Sequence, residues 1–186
     1  MSEKPLLGNP AVVGLAGFGG TTLLLQFHNL GLCGVGPVIW TGIFFGGLAQ
    51  LVAGMLEFRT GNNFGFAAFT SYGAFWLALA GILFGTNTGM FDISTTDVGW
   101  FLLMFTLITG IFFIGAMKES TAHSILFLTL LLGFILLDVG HLGGPAAFNK
   151  VAAVDLIVCA ISAWYLMSSV IFAQMGIRLP TGKPWI

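Results

Sequence analysis

Asp, Glu, Lys and Arg are absent from residues 27–56, 64–91 and 98–117 of this chain. Apolar stretches of that length cross a bilayer, whose ~30 Å hydrocarbon core takes about 20 residues of helix. Polar and turn-forming residues gather between the stretches, at 34–37, 61–63, 85–97, 118–120 and 143–145, where Gly, Pro, Asn and Ser break regular structure. The pattern predicts an all-α polytopic membrane protein with six transmembrane helices over about 10–27, 37–56, 64–84, 98–117, 121–142 and 151–175. The last two spans are less clean than the others, because Asp138, His141 and Asp155 lie inside them.

Composition points the same way. Of 186 residues 57% are hydrophobic and 7% charged, against about 25% charged in a soluble domain, so a water-facing surface cannot be built. The net charge of -1 offers no basic face for nucleic acid. Lys4, Arg59, Lys118, Arg178 and Lys183 fall on one side of the predicted topology and only Lys150 on the other. The bias of Lys and Arg toward the cytoplasmic side then places both termini inside. The N-terminal segment lacks a basic region followed by an uninterrupted apolar core and cleavage site, so its apolar stretch is expected to stay as the first helix. With no linker or low-complexity tract, residues 1–186 read as one six-helix domain.

Polar residues inside a span are costly unless they have a partner or a task. Gln50 lies in an apolar run and should face the bundle interior, either as packing glue or as part of a path. Asn9-Pro10 opens the first span as cap and first turn, and a helix start of this kind attracts anions. Thr70, Ser71 and Tyr72 form a run of hydroxyls in the third span. These residues are the candidates for contact with a small polar solute. Glu57 reads either as a proton carrier or as an interfacial charge paired with Arg59. Asp138 and His141, at i and i+3, share a helix face and read either as an interfacial pair or as a proton relay. Glycine, at 27 residues, is concentrated within the spans, and Gly42 and Gly46 form a GxxxG step suited to close helix approach. Cys33 and Cys159 stand alone and read as packing residues. His28, His123 and His141 lack a spacing that would bring two to one helical face, so no metal or cofactor is expected. No catalytic constellation is recognisable, and the chain does not read as an enzyme.

Three stretches together carry a family resemblance. Asn9-Pro-Ala-Val-Val-Gly-Leu15 resembles the NPAPLGL signature of the acetate uptake transporter family. Gly42-Ile-Phe-Phe-Gly-Gly-Leu-Ala-Gln50 with Ala53-Gly-Met-Leu-Glu57 is similar to that family's second helix. Gly61-Asn-Asn-Phe-Gly65 with Ala68-Phe-Thr-Ser-Tyr-Gly-Ala-Phe-Trp76 is similar to its third. The resemblance implies a homohexamer in the plasma membrane whose six-helix protomers each have a pore for acetate, related monocarboxylates or succinate. It also implies a pore constriction formed by Phe18, Tyr72 and Leu130. Val12 and Val13 depart from the signature's Pro-Leu, and Asp138 stands where an apolar residue is expected.

Helix geometry can be set beside that implication. At ~1.5 Å rise per residue, Phe18 is about 12 Å above Pro10, Tyr72 about 12 Å above Phe64, and Leu130 about 14 Å above Thr121. Gln50, on a helix running the other way, is about 10 Å above Glu57. All four therefore share one depth near the middle of the membrane. The expected activity is carboxylate transport through this layer with an accompanying proton, Glu57 and Asp138 being the candidate carriers. A passive anion channel is the alternative, and a carboxylate-sensing or structural membrane subunit is the rival from another class.

Overall fold

The computed structural model describes residues 8–186. Lys4, one of the basic residues behind the expected orientation, lies outside the described residues. Six helices follow: α1 (Ala11–Asn29), α2 (Val35–Thr60), α3 (Asn63–Thr88), α4 (Thr95–Glu119), α5 (Thr121–His141) and α6 (Ala147–Gln174). Each is long and apolar enough to cross a membrane, and among the described residues no strand is present. The helices start and stop on local chemistry. The Asn62 side chain accepts from the Gly65 N–H at 3.0 Å at the head of α3. Ser94 and Asp97 form a reciprocal capping box at the head of α4. Gly61 and Gly89, at φ 81° and 67°, end α2 and α3 in the left-handed conformation that glycine adopts without strain.

One feature of α2 has no counterpart in the apolar pattern. Its middle, Phe44–Ala49, is a π-helical turn, which re-aims the residues that follow. Gln50 is the first residue after it.

The helices pack in chain order into a closed ring: α1 on α2, α2 on α3, α4 on α5, α5 on α6, and α6 back on α1, while α3 and α4 stand further apart and meet through aromatic side chains. Glycine makes the tight seams. A Cβ on Gly54 would lie 2.6 Å from the Thr70 backbone nitrogen, and one on Gly73 would lie 2.8 Å from the backbone nitrogen of Leu51. The α2–α3 seam therefore has no room for a side chain at either position. Large apolar side chains cover the outer surface, among them Leu107, Ile111 and Ile114 on α4 at 66%, 70% and 60% exposed. After α6 the chain turns back across the α4–α5 junction. Ala122 N–H donates to the Thr181 carbonyl at 2.8 Å, Trp185 N–H to the Met117 carbonyl at 2.8 Å, and the Tyr165 hydroxyl to the Pro180 carbonyl at 2.7 Å.

The seam yields a test. Gly73→Leu should destabilise the folded chain by about 1–3 kcal/mol, the usual cost of overpacking. Gly81→Ala, where an added Cβ meets nothing within 4 Å, should change stability by no more than ~0.5 kcal/mol. Thermal unfolding in detergent, followed by size-exclusion chromatography, compares the two.

Candidate functional site

Two cavities lie inside the ring, one toward each end. The first, about 230 Å³, is reached from the end where α1 and α5 begin and carries Gln50, Asn62, Glu119 and His123 in its wall. The second, about 130 Å³, lies toward the opposite end and carries Thr22, Gln26, Asn29 and His141. Both are smaller than the ~300–1,000 Å³ of a site for a drug-sized ligand. Among the described residues neither wall contains Lys or Arg.

Among the described residues, Phe18, Tyr72 and Leu130 alone are common to the two walls. They are 5%, 3% and 3% exposed, so they divide one cavity from the other. The Phe18 and Tyr72 rings are 5.6 Å apart and tilted by 56°. Phe112 and Phe127 pack on Tyr72 at 5.9 and 6.4 Å. Its hydroxyl lies 2.8 Å from Thr109 Oγ1 on α4. A short apolar plug with one phenol thus separates two partly polar chambers.

Among the other residues picked out in the sequence, Gln50 is fully buried in the wall of the first cavity, and neither atom of its amide has a partner. Asn9 Oδ1 accepts from the Ala11 N–H at 2.9 Å, as a cap does. It borders an open pocket of about 470 Å³ shared with Glu57, Asn62 and His123. Glu57 is 3% exposed, and its Oε2 accepts from Asn62 Nδ2 at 2.9 Å and Thr60 Oγ1 at 3.3 Å. Its partners are these neighbours and not Arg59, which is exposed, because the turn after α2 folds Asn62 back over the carboxylate.

Three of the groups picked out in the sequence are placed differently from their expected positions. Thr70 and Ser71 line neither cavity. The Thr70 hydroxyl donates to the Phe66 carbonyl at 2.5 Å, and the residue packs on Gly54 of α2. The hydroxyl run fans out around α3, and only Tyr72 faces inward. Asp138 also lines neither cavity. It is wedged between α4 and α5, where Thr106 donates to its Oδ2 at 2.6 Å. His141 does not pair with it in the expected way, since the imidazole Nδ1 donates to the Leu137 carbonyl at 2.8 Å.

Thr109, Phe112 and Phe127 were not singled out in the sequence. A signal for Thr109 existed: Thr106 and Thr109, three apart in an apolar run, share a face of α4. Among the described residues no three His, Cys, Asp or Glu come together as a metal-binding group.

Residues 2–179 match the profile of the GPR1/FUN34/yaaH family. The chain belongs to that family. Members similar to this GPR1/FUN34/yaaH chain include the succinate-acetate/proton symporter SatP of Escherichia coli (strain K12). It is 41% identical over 181 residues, covering 95% of this chain and 96% of that protein. Acetate permease A of Emericella nidulans is 34% identical, over 88% of this chain and 61% of its own length. A solved structure, of the bacterial acetate channel SatP, superposes with a TM-score of 0.90 at 39% identity, covering 95% of this chain and all of that one. With six helices long and apolar enough to span, this GPR1/FUN34/yaaH member is a multi-pass membrane protein and not an enzyme.

The Thr106–Asp138 bond generates a prediction of its own. Thr106→Val leaves a buried carboxyl without its partner and should cost about 2 kcal/mol. Thr88→Val removes a hydroxyl that bonds only to its own helix and should cost well under half as much. Unfolding midpoints of the two variants, read against wild type, check the ordering.

Proposed function

We propose that this chain is a transporter of acetate and related small carboxylates, succinate among them, and that Phe18, Tyr72 and Leu130 form the narrowest layer of its path. The observation that carries the reading is the pair of cavities that meet, among the described residues, at those three side chains alone. The names of the relatives, an acetate permease and a succinate-acetate/proton symporter, supply the substrate class. Small cavities favour a small solute, and the amides of Gln50 and Asn62 are the donors for a carboxylate on the first side of the layer.

The solute is held as the anion on either side and crosses the layer singly with a proton. Small carboxylic acids titrate near ~4–4.5, so the anion dominates in neutral solution. Glu57 is the proton-carrying group of this reading. It is buried, borders the pocket at the α1 end, and keeps one carboxylate oxygen without a partner. Passive acetate conduction is the second reading, favoured by the close superposition on a protein named a channel. The residues form a single six-helix unit in the plasma membrane with both termini cytoplasmic, supported by the distribution of Lys and Arg. Six such units assemble as a homohexamer, in keeping with the broad apolar outer surface.

Liposomes carrying the purified chain should take up labelled acetate faster than protein-free liposomes. Phe18→Ala and Tyr72→Ala should each change that flux by about tenfold, corresponding to ~1.4 kcal/mol in the barrier. Unaltered flux in both variants removes the layer from the reading. A pH gradient, acid outside, should drive accumulation that a protonophore collapses and that Glu57→Gln weakens. Flux that follows the acetate gradient alone replaces proton coupling with the channel reading.

A further inference from the structure

Thr109 borders neither cavity, yet it is fully buried with its hydroxyl 2.8 Å from the Tyr72 phenol. Among the other threonines of the spans, Thr21 and Thr106 reach across to another helix, at the Thr41 carbonyl and at Asp138, while Thr70, Thr88 and Thr129 turn back onto their own, to Phe66, Phe84 and Ile125. That back-bond is the usual recourse of a hydroxyl in an apolar helix. The Thr109 hydroxyl instead bridges α4 to α3, two helices whose backbones approach closely at few points and which otherwise meet through aromatic side chains such as Phe75 with Phe101 and Phe105. Phe112, one turn further along α4, meets the Tyr72 ring edge-on. Tyr72 is therefore held by α4 at its hydroxyl and at its ring.

We infer that Thr109 is the positioning residue of the central layer: its hydroxyl tethers the Tyr72 phenol, keeps the ring across the path, and so sets the largest carboxylate that passes. The inference rests on the reading of Phe18, Tyr72 and Leu130 as the narrowest layer. An unpaired phenol in an apolar setting is costly, and Thr109 is the partner that Tyr72 has. Moving the ring aside breaks that bond unless the passing solute supplies an acceptor. A carboxylate oxygen supplies one, so a small carboxylate exchanges with Thr109 at the phenol, whereas an apolar solute of equal size leaves the phenol unpaired. Loss of the Thr109 hydroxyl removes the restoring bond and lets the ring yield to bulkier acids.

The test is the ratio of butyrate to acetate flux in liposomes, which protein yield or overall stability does not move. Thr109→Val, nearly isosteric, should raise the ratio about fivefold, the factor that one neutral hydrogen bond represents. Thr109→Ser, which keeps the hydroxyl, should leave it at the wild-type value. Tyr72→Phe removes the same bond from the other side and should give the same rise, with no further change when Thr109→Val is added. If Thr109→Val is not recovered folded, Tyr72→Phe against wild type decides alone. An unchanged ratio in the single variants, or a full Thr109→Val effect persisting in the Tyr72→Phe background, overturns the tether. Tyr72→Ala separates the two levels. If it shifts flux while Thr109→Val and Tyr72→Phe do not, only the tether fails; if it too is without effect, the central layer itself is lost.

Discussion

A lipid interior contains no water to satisfy a polar group, so whatever the chain carries into it must be paired within the protein. Helices meet that demand for the backbone, and most threonine hydroxyls meet it by bonding to the carbonyl a turn earlier. The same demand shapes the contacts between helices. With little hydrophobic drive for helices to associate in lipid, close backbone approach supplies the attraction, and Gly54 and Gly73 bring α2 against α3 at distances that a side chain would forbid. Where pairing across helices does occur, as between Thr106 and Asp138 or between Tyr72 and Thr109, it ties α4 to the rest of the ring. On the α3 side the Tyr72–Thr109 tie adds to aromatic contacts that span the wider gap between the two backbones.

Pairing also explains which groups are left for a solute. Gln26 donates to the Thr22 carbonyl and accepts from Asn29, and Thr106 is committed to Asp138. The Gln50 amide stands apart, enclosed and unpaired on both atoms. A buried amide in that condition costs free energy in the resting state, and it sits beside the plug through which the solute of our proposal passes. The π-helical turn just before it is the local device that presents Gln50 where it is. Such bulges recur at functional positions because they redirect a side chain without breaking the helix.

The six helices were legible in the sequence because membrane burial acts on every residue of a span, so the signal accumulates over about 20 positions. The shared depth of Phe18, Tyr72 and Leu130 was legible from the rise per residue, which is insensitive to how a helix is rotated. Rotation was the hidden quantity. Thr70, Ser71 and Tyr72 are adjacent in sequence, yet successive helical residues point about 100° apart, and only Tyr72 faces the interior. Asp138 was misplaced for the same reason, since its helix turns it toward Thr106 and away from both cavities. A spacing of three identified Asp138 and His141 as neighbours on one face. It carried no information about the Leu137 carbonyl that takes the imidazole proton donor. The π turn was invisible because its residues, Phe44–Ala49, are as apolar and glycine-rich as their surroundings.

Charge sets the final constraint on how a carboxylate crosses the plug. Removing a carboxylate from water costs several kcal/mol even after the protein relaxes around it, and a hydrogen bond to a charged group returns about 1.5–3 kcal/mol. At the layer itself the wall offers one phenol hydroxyl between apolar side chains, and among the described residues no Lys or Arg borders either cavity. Glu119 borders the first cavity and Glu57 the adjoining pocket, so the fixed charges near the α1 end repel an anion when ionised. One donor does not offset the solvation lost by a bare carboxylate. A proton crossing with the anion removes most of that deficit. On the reading proposed above, the composition of the walls favours coupled passage on the same grounds that favour a small solute.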